Sequence, residues 1–78
     1  MSLIDDSKII EEVKILFEIK AKKIDSKSKI KKYFELDSLN QLKLMGFIDE
    51  NSNKKINLSK IQNIKTFKDI VKLINDWN

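Results

Sequence analysis

The chain contains no cysteine, no histidine, no proline and no arginine, and a single glycine, Gly46. Each absence removes a class of protein. Without cysteine there is no disulfide to staple a small fold, and without cysteine or histidine there is no zinc site of the ordinary kind. The same two absences rule out Cys-His and Ser-His nucleophilic pairs. A hairpin-rich β fold needs turn residues roughly every 8–12 positions, which one glycine and no proline do not supply. The chain lacks arginine, the residue that mainly does the bidentate reading of guanine edges and phosphates. No apolar run reaches the roughly 18 residues of a membrane span, and the N-terminal "MSLIDDSK" lacks a signal-peptide pattern. There is no Gly-rich phosphate loop. The carboxylate pairs Asp5/Asp6, Glu11/Glu12 and Asp49/Glu50 fall at expected helix ends, where the helix dipole and solvent account for them. The expectation is a soluble, all-α, cytoplasmic protein, with no metal site, no membrane insertion and no active site of its own.

What is present is aliphatic bulk and lysine. Seventy-eight residues make one small domain, 1–78, and thirteen isoleucines with four phenylalanines supply its core. A chain this short buries only about 60–65% of its unfolded surface, so its stability is a few kcal/mol. The formal charge of +4 is unevenly spread. Seven lysines lie between Lys20 and Lys32 against one acid, Asp25, while the rest of the chain is slightly acidic.

The pattern gives three main helices, a short additional one and a long first loop. The first helix opens in "DDSKIIEEVKILFEI", capped by Asp6 or Ser7. Ile9, Ile10, Val13, Leu16 and Phe17, with Ile19 or Lys20, follow the spacing of a buried face, and the helix is expected to end near Lys20 to Lys22. In "KKIDSKSKIKKYFEL", Ile24, Ile30, Tyr33 and Phe34 are spaced like anchors that pin a long loop to the core. The second helix begins at "DSLNQLKLMGFIDE", with Asp37 or Ser38 as cap and Ser38 with Gln41 forming a capping box. Leu44 and Ile48 share one of its faces, and Leu39, Leu42 and Gly46 another. This helix is therefore either deeply buried or offers an apolar face to a partner. "NSNKK" is a turn. "INLSKIQNI" holds a short helix with Ile56, Leu58, Ile61 and Ile64 pointing inward. The last helix, "TFKDIVKLINDW", starts with a Thr66-x-x-Asp69 capping signal and carries Phe67, Ile70, Val71, Ile74 and Trp77 on one stripe.

Asp37-Ser38-Leu39 at the start of the second helix, in an all-helical chain of this size, resembles the acyl carrier protein family. The surroundings strengthen the likeness: Ile56, Ile64 and Thr66 follow Ser38 at 18, 26 and 28 residues, and "IKTFKDIVKLI" is similar to the family's final helix. The resemblance covers about residues 7 to 77. It implies a small four-helix bundle with a long first loop and a short third helix. It also implies a monomer that is not an enzyme. Ser38 would carry a covalent phosphopantetheine derived from coenzyme A, with Asp37 assisting the phosphopantetheinyl transferase. Leu39, Leu42 and Lys43 would contact acyl-loading and acyl-transferring enzymes. Phe34, Leu44, Ile48, Ile56, Ile61, Ile64 and Ile70 would wall the space for an acyl chain, although residues of this type are ordinary core in any case.

Two departures matter. Many members of the family have glycine two residues before the aspartate, where this chain has Glu35, and Leu-Asp-Ser resembles carriers of less common cargo, such as D-alanyl carriers. Fatty-acid carriers also display carboxylates along the second helix, whereas this chain has Asn40, Gln41 and Lys43 there. The expectation is a specialised carrier of an acyl, aminoacyl or polyketide group. Two alternatives stay open: a nucleic-acid-binding module that uses the lysine-rich loop, and a helical adaptor in which Asp-Ser-Leu is only structural.

Overall fold

The computed structural model describes residues 5–52 and 56–75. They form four α-helices: α1, Asp6–Leu16; α2, Ser38–Asn51; α3, Leu58–Gln62; and α4, Phe67–Asn75. A single 3-10 turn, Ile30–Lys32, interrupts the long connection between α1 and α2. No strand occurs among the described residues, and the fold is the expected small helical bundle. Trp77 and residues 53–55 of the expected "NSNKK" turn lie outside the described residues.

α1 starts and stops earlier than its pattern suggests. Asp5 is the N-cap, without a side-chain bond to the helix, so neither Asp6 nor Ser7 takes that role. The helix ends at Leu16, well short of Lys20, because Glu18 turns into the left-handed region at φ 54°. The Ile19 N–H then donates to the Lys14 carbonyl at 2.8 Å and the Glu18 N–H to Ile15 at 3.2 Å, the paired bonds of a Schellman stop. Glycine usually occupies that position, and a side chain there costs about 1–2 kcal/mol. In return, Phe17 and Ile19 both turn onto the core.

The long loop is stitched to the start of α4. The Ile30 N–H donates to the Lys65 carbonyl at 2.9 Å, while Ser28 and Ser26 carbonyls accept from the Phe67 and Lys68 N–H groups at 3.2 and 2.7 Å. Two orphan donors of the helix start are thus satisfied by the loop. The Thr66/Asp69 capping box forms as its sequence predicts. Asp69 Oδ2 accepts from the Lys65 and Thr66 N–H groups at 2.8 and 3.1 Å, and the Asp69 N–H donates to Thr66 Oγ1 at 3.3 Å. Burial pushes the Asp69 carboxyl up, but those backbone donors, the Thr66 hydroxyl and nearby Lys72 outweigh it and hold it below its ordinary value.

Ile9, Ile10 and Val13 of α1, Ile30 of the loop, Leu44 and Ile48 of α2, Ile61 of α3, Ile64, and Phe67, Ile70, Val71 and Ile74 of α4 form one core. It contains no buried polar side chain among the described residues. α4 packs on α1 and α2, and α3 closes against α2. Of the loop anchors, Ile30 is fully buried, and Ile24, Tyr33 and Phe34 are half-buried against the core. Tyr33 meets Phe67 edge-on at 5.8 Å. Leu58 points outward rather than inward, since it is the first residue of α3 and the next turn, at Ile61, reaches the core instead. The radius of gyration, 11.5 Å, is that of a folded domain of this length.

Candidate functional site

The start of α2 is built by a local exchange of hydrogen bonds. Asp37 is the N-cap, in extended backbone, and its Oδ1 accepts from the Asn40 N–H at 2.9 Å. The Asp37 carbonyl accepts the first intrahelical bond, from the Gln41 N–H at 2.8 Å. The side chains of the first turn then reach back to the incoming chain: Asn40 Nδ2 donates to the Glu35 carbonyl at 2.7 Å, and Gln41 Nε2 to the Leu36 carbonyl at 2.8 Å. The expected Ser38–Gln41 box is therefore absent. Gln41 is held by Leu36, and the carboxylate of Asp37, a stronger acceptor than a hydroxyl, takes the capping role.

This arrangement leaves Ser38 free. It is the first helical residue, it is exposed, and its hydroxyl makes no hydrogen bond to a described residue. The Ser38 and Leu39 N–H groups likewise have no acceptor among the described residues, so unpaired donors and the positive dipole end surround the hydroxyl. Beside it, Lys31, Glu35, Leu36 and Asp37 line a cleft of about 490 Å³.

Past Ser38, α2 divides its apolar residues between two faces. Leu44 and Ile48 are fully shielded, whereas Leu39 and Leu42 are 66% and 62% exposed. Of the two alternatives for this helix, the outward apolar face is the one realised. Gly46 lies on the same exposed side, and a Cβ there would meet nothing within 4 Å, so close approach does not explain the glycine. A shallow cleft of about 360 Å³ runs along this face, lined by Leu16, Leu42, Lys43, Gly46, Phe47 and Glu50. Lys43 is not free-standing: its Nζ sits 5.2 Å from the centroid of the Phe17 ring, a cation–π contact. Phe17 in turn stacks on Phe34 at 3.9 Å and 7°.

The seven expected lining residues all belong to the core. Leu44, Ile48, Ile61 and Ile70 are completely shielded, Ile64 nearly so, and Phe34 and Ile56 are half-buried at its margin. Among the described residues no three acids gather as metal ligands, and no helix is long and apolar enough to cross a membrane.

Sequence reasoning missed the reach-back of Asn40 and Gln41. Two amides in the first turn after an Asp-Ser cap were the available signal. It also missed the joining of Lys65 and Lys68 to the lysine-rich loop, which only the tertiary pairing with α4 brings about. Compared with models of known families, with curated proteins and with solved structures, the chain matches none.

Proposed function

We propose that this chain is a carrier protein, with the Ser38 hydroxyl as the attachment point of a phosphopantetheine arm. The observation that carries the reading is the division of labour at the α2 start. Asp37 does the capping, so the exposed Ser38 hydroxyl is free for a modifying enzyme. The residues present suit a phosphodiester: the Ser38 and Leu39 N–H groups are unpaired donors at a helix N-terminus, a combination that favours anions. Once attached, the arm would supply the thiol that this cysteine-free chain lacks and hold an acyl, aminoacyl or polyketide group as a thioester. The chain's own part is to present Ser38 on a rigid turn, locked by the Asn40 and Gln41 amides, and to offer Leu39 and Leu42 to partner enzymes. Phe34 and Ile56, at the core margin, are where an acyl chain would enter. It would reach Leu44, Ile48, Ile61, Ile64 and Ile70 only by parting close-packed side chains.

The test is intact mass after incubation with coenzyme A, magnesium and a broad-specificity phosphopantetheinyl transferase. The expected result is a gain of one phosphopantetheine, lost in Ser38→Ala. No gain, with the helical fold intact and a known carrier modified alongside, overturns the reading. The helical adaptor would then lead, because the exposed Leu39 and Leu42 suit a protein partner as well.

A further inference from the structure

The most strongly charged feature of the molecule lies outside the Ser38 site. Lys27, Lys29, Lys31 and Lys32 line, with Ser28, a concave site of about 490 Å³. All four lysines are exposed, and the ion pair formed between described residues, Lys14 with Glu11, is elsewhere on α1. The loop that carries them is held in place rather than left to adapt. Its backbone is bonded to α4 through Ser26, Ser28 and Ile30. Its turn is fixed by Asp25, whose Oδ1 accepts from the Lys27 N–H at 2.8 Å and from the Ser28 hydroxyl at 3.4 Å. The same stitching brings the backbone of Lys65 and Lys68 alongside. The acids of this region are Asp25, Asp69 and, in the cleft that Lys31 shares, Glu35 and Asp37; Asp25, Asp37 and Asp69 each accept from backbone N–H groups. Like charges gathered on a pinned backbone repel one another at no structural benefit to the fold, and such a field attracts an anionic partner.

We infer that this lysine-lined concavity docks an acidic protrusion of a partner protein, a loop or helix end rich in aspartate and glutamate. Two observations select that occupant. The site is concave, which fits a protrusion and not the plane of a lipid surface. Its nearest aromatic, Tyr33, is half-buried and turned edge-on to Phe67, so no ring is presented for base stacking. Lys31 also lines the cleft that holds Glu35 and Asp37, and those two carboxylates bound the patch on the side of the α2 start. The inference rests on the patch alone and stands whether or not Ser38 is modified.

Backbone amide shifts measured by NMR during titration test it. Three probes are compared at equal ionic strength: a Glu/Asp-rich peptide, a single-stranded oligonucleotide, and phosphatidylcholine vesicles containing phosphatidylglycerol. The peptide is expected to bind best, to shift residues 26–32 and 65–68, and to be released by salt. Lys29→Gln with Lys31→Gln should weaken it about tenfold. Lys8→Gln with Lys20→Gln, which removes the same charge from exposed positions that do not line the site, should leave it within about twofold. Equal weakening by the two pairs overturns the site. Peptide shifts that fall elsewhere, or fail to appear at low salt, do the same. Tighter binding of the oligonucleotide or the vesicles overturns the acidic-protein occupant.

Discussion

Two adjacent residues, Asp37 and Ser38, look interchangeable in the sequence, since either side chain caps a helix well. The backbone separates them. Asp37 is in extended conformation, so its side chain folds over the first turn and reaches the Asn40 N–H, while Ser38 already has helical geometry and its hydroxyl is left out. The consequence is measurable by urea unfolding. Asp37→Ala should lose about 1 kcal/mol, within a range of about 0.5–2, because the Asn40 N–H loses its acceptor. Ser38→Ala should change stability by less than about 0.5 kcal/mol, as expected of an exposed side chain without a partner. Equal losses in the two variants would make Ser38 a cap and remove the main support for its role as an attachment point. In a domain stabilised by only a few kcal/mol the difference is large enough to read.

At the scale of elements, the start of α4 is held by a single carboxylate, Asp69. Asp69 is held below its ordinary pKa of 3.8 in the folded chain. A carboxyl whose folded pKa is depressed stabilises the fold fully above its unfolded pKa, and that contribution is lost as the pH falls through the folded value. Asp69→Asn should therefore be less stable than the native chain at neutral pH, by about 1 kcal/mol. The gap should close as the pH falls below about 4, with unfolding followed by circular dichroism. A gap that stays constant from neutral to acid pH would assign the loss to packing instead of charge. α4 was legible in the sequence because its capping signal is local: Thr66 and Asp69 need only each other and the backbone between them. The position of the α2 start and its two apolar faces were legible too, but not which of Asp37 and Ser38 caps it, because Gln41 turns back to the Leu36 carbonyl and not to Ser38. The end of α1 was not. Glu18 takes a glycine's conformation because Phe17 and Ile19 gain the core on either side of it, a tertiary cause with no mark in the residue itself. The pairing of the loop with α4 was equally hidden, since nothing in "DSKSKI" specifies Lys65–Lys68 as its partner.

At the scale of the molecule, the surface carries a lysine-rich loop beside the α4 start and, on α2, the exposed pair Leu39 and Leu42. The family that the sequence resembles carries acids along the second helix, and this chain carries none between Leu39 and Ile48. If that difference governs partner choice, restoring acids should restore encounter with enzymes that expect them. Positions 40 and 41 are poor sites for the graft, because a carboxylate there would face the Glu35 and Leu36 carbonyls that the Asn40 and Gln41 amides now satisfy. Lys43 and Gly46 are better. Lys43 is exposed and gives up one cation–π contact, and Gly46 has open space where a side chain would begin. Replacing a helical glycine should also offset any lost stability by up to about 1 kcal/mol. If Ser38 takes the proposed arm, Lys43→Glu with Gly46→Glu, in protein so modified, should be loaded by general fatty-acid enzymes about tenfold faster at low ionic strength, and the gain should vanish as salt screens it. A gain that survives high salt would point to the changed shape of the α2 face. No gain at any salt would place partner choice in the lysine patch and the exposed leucines rather than in the missing acids.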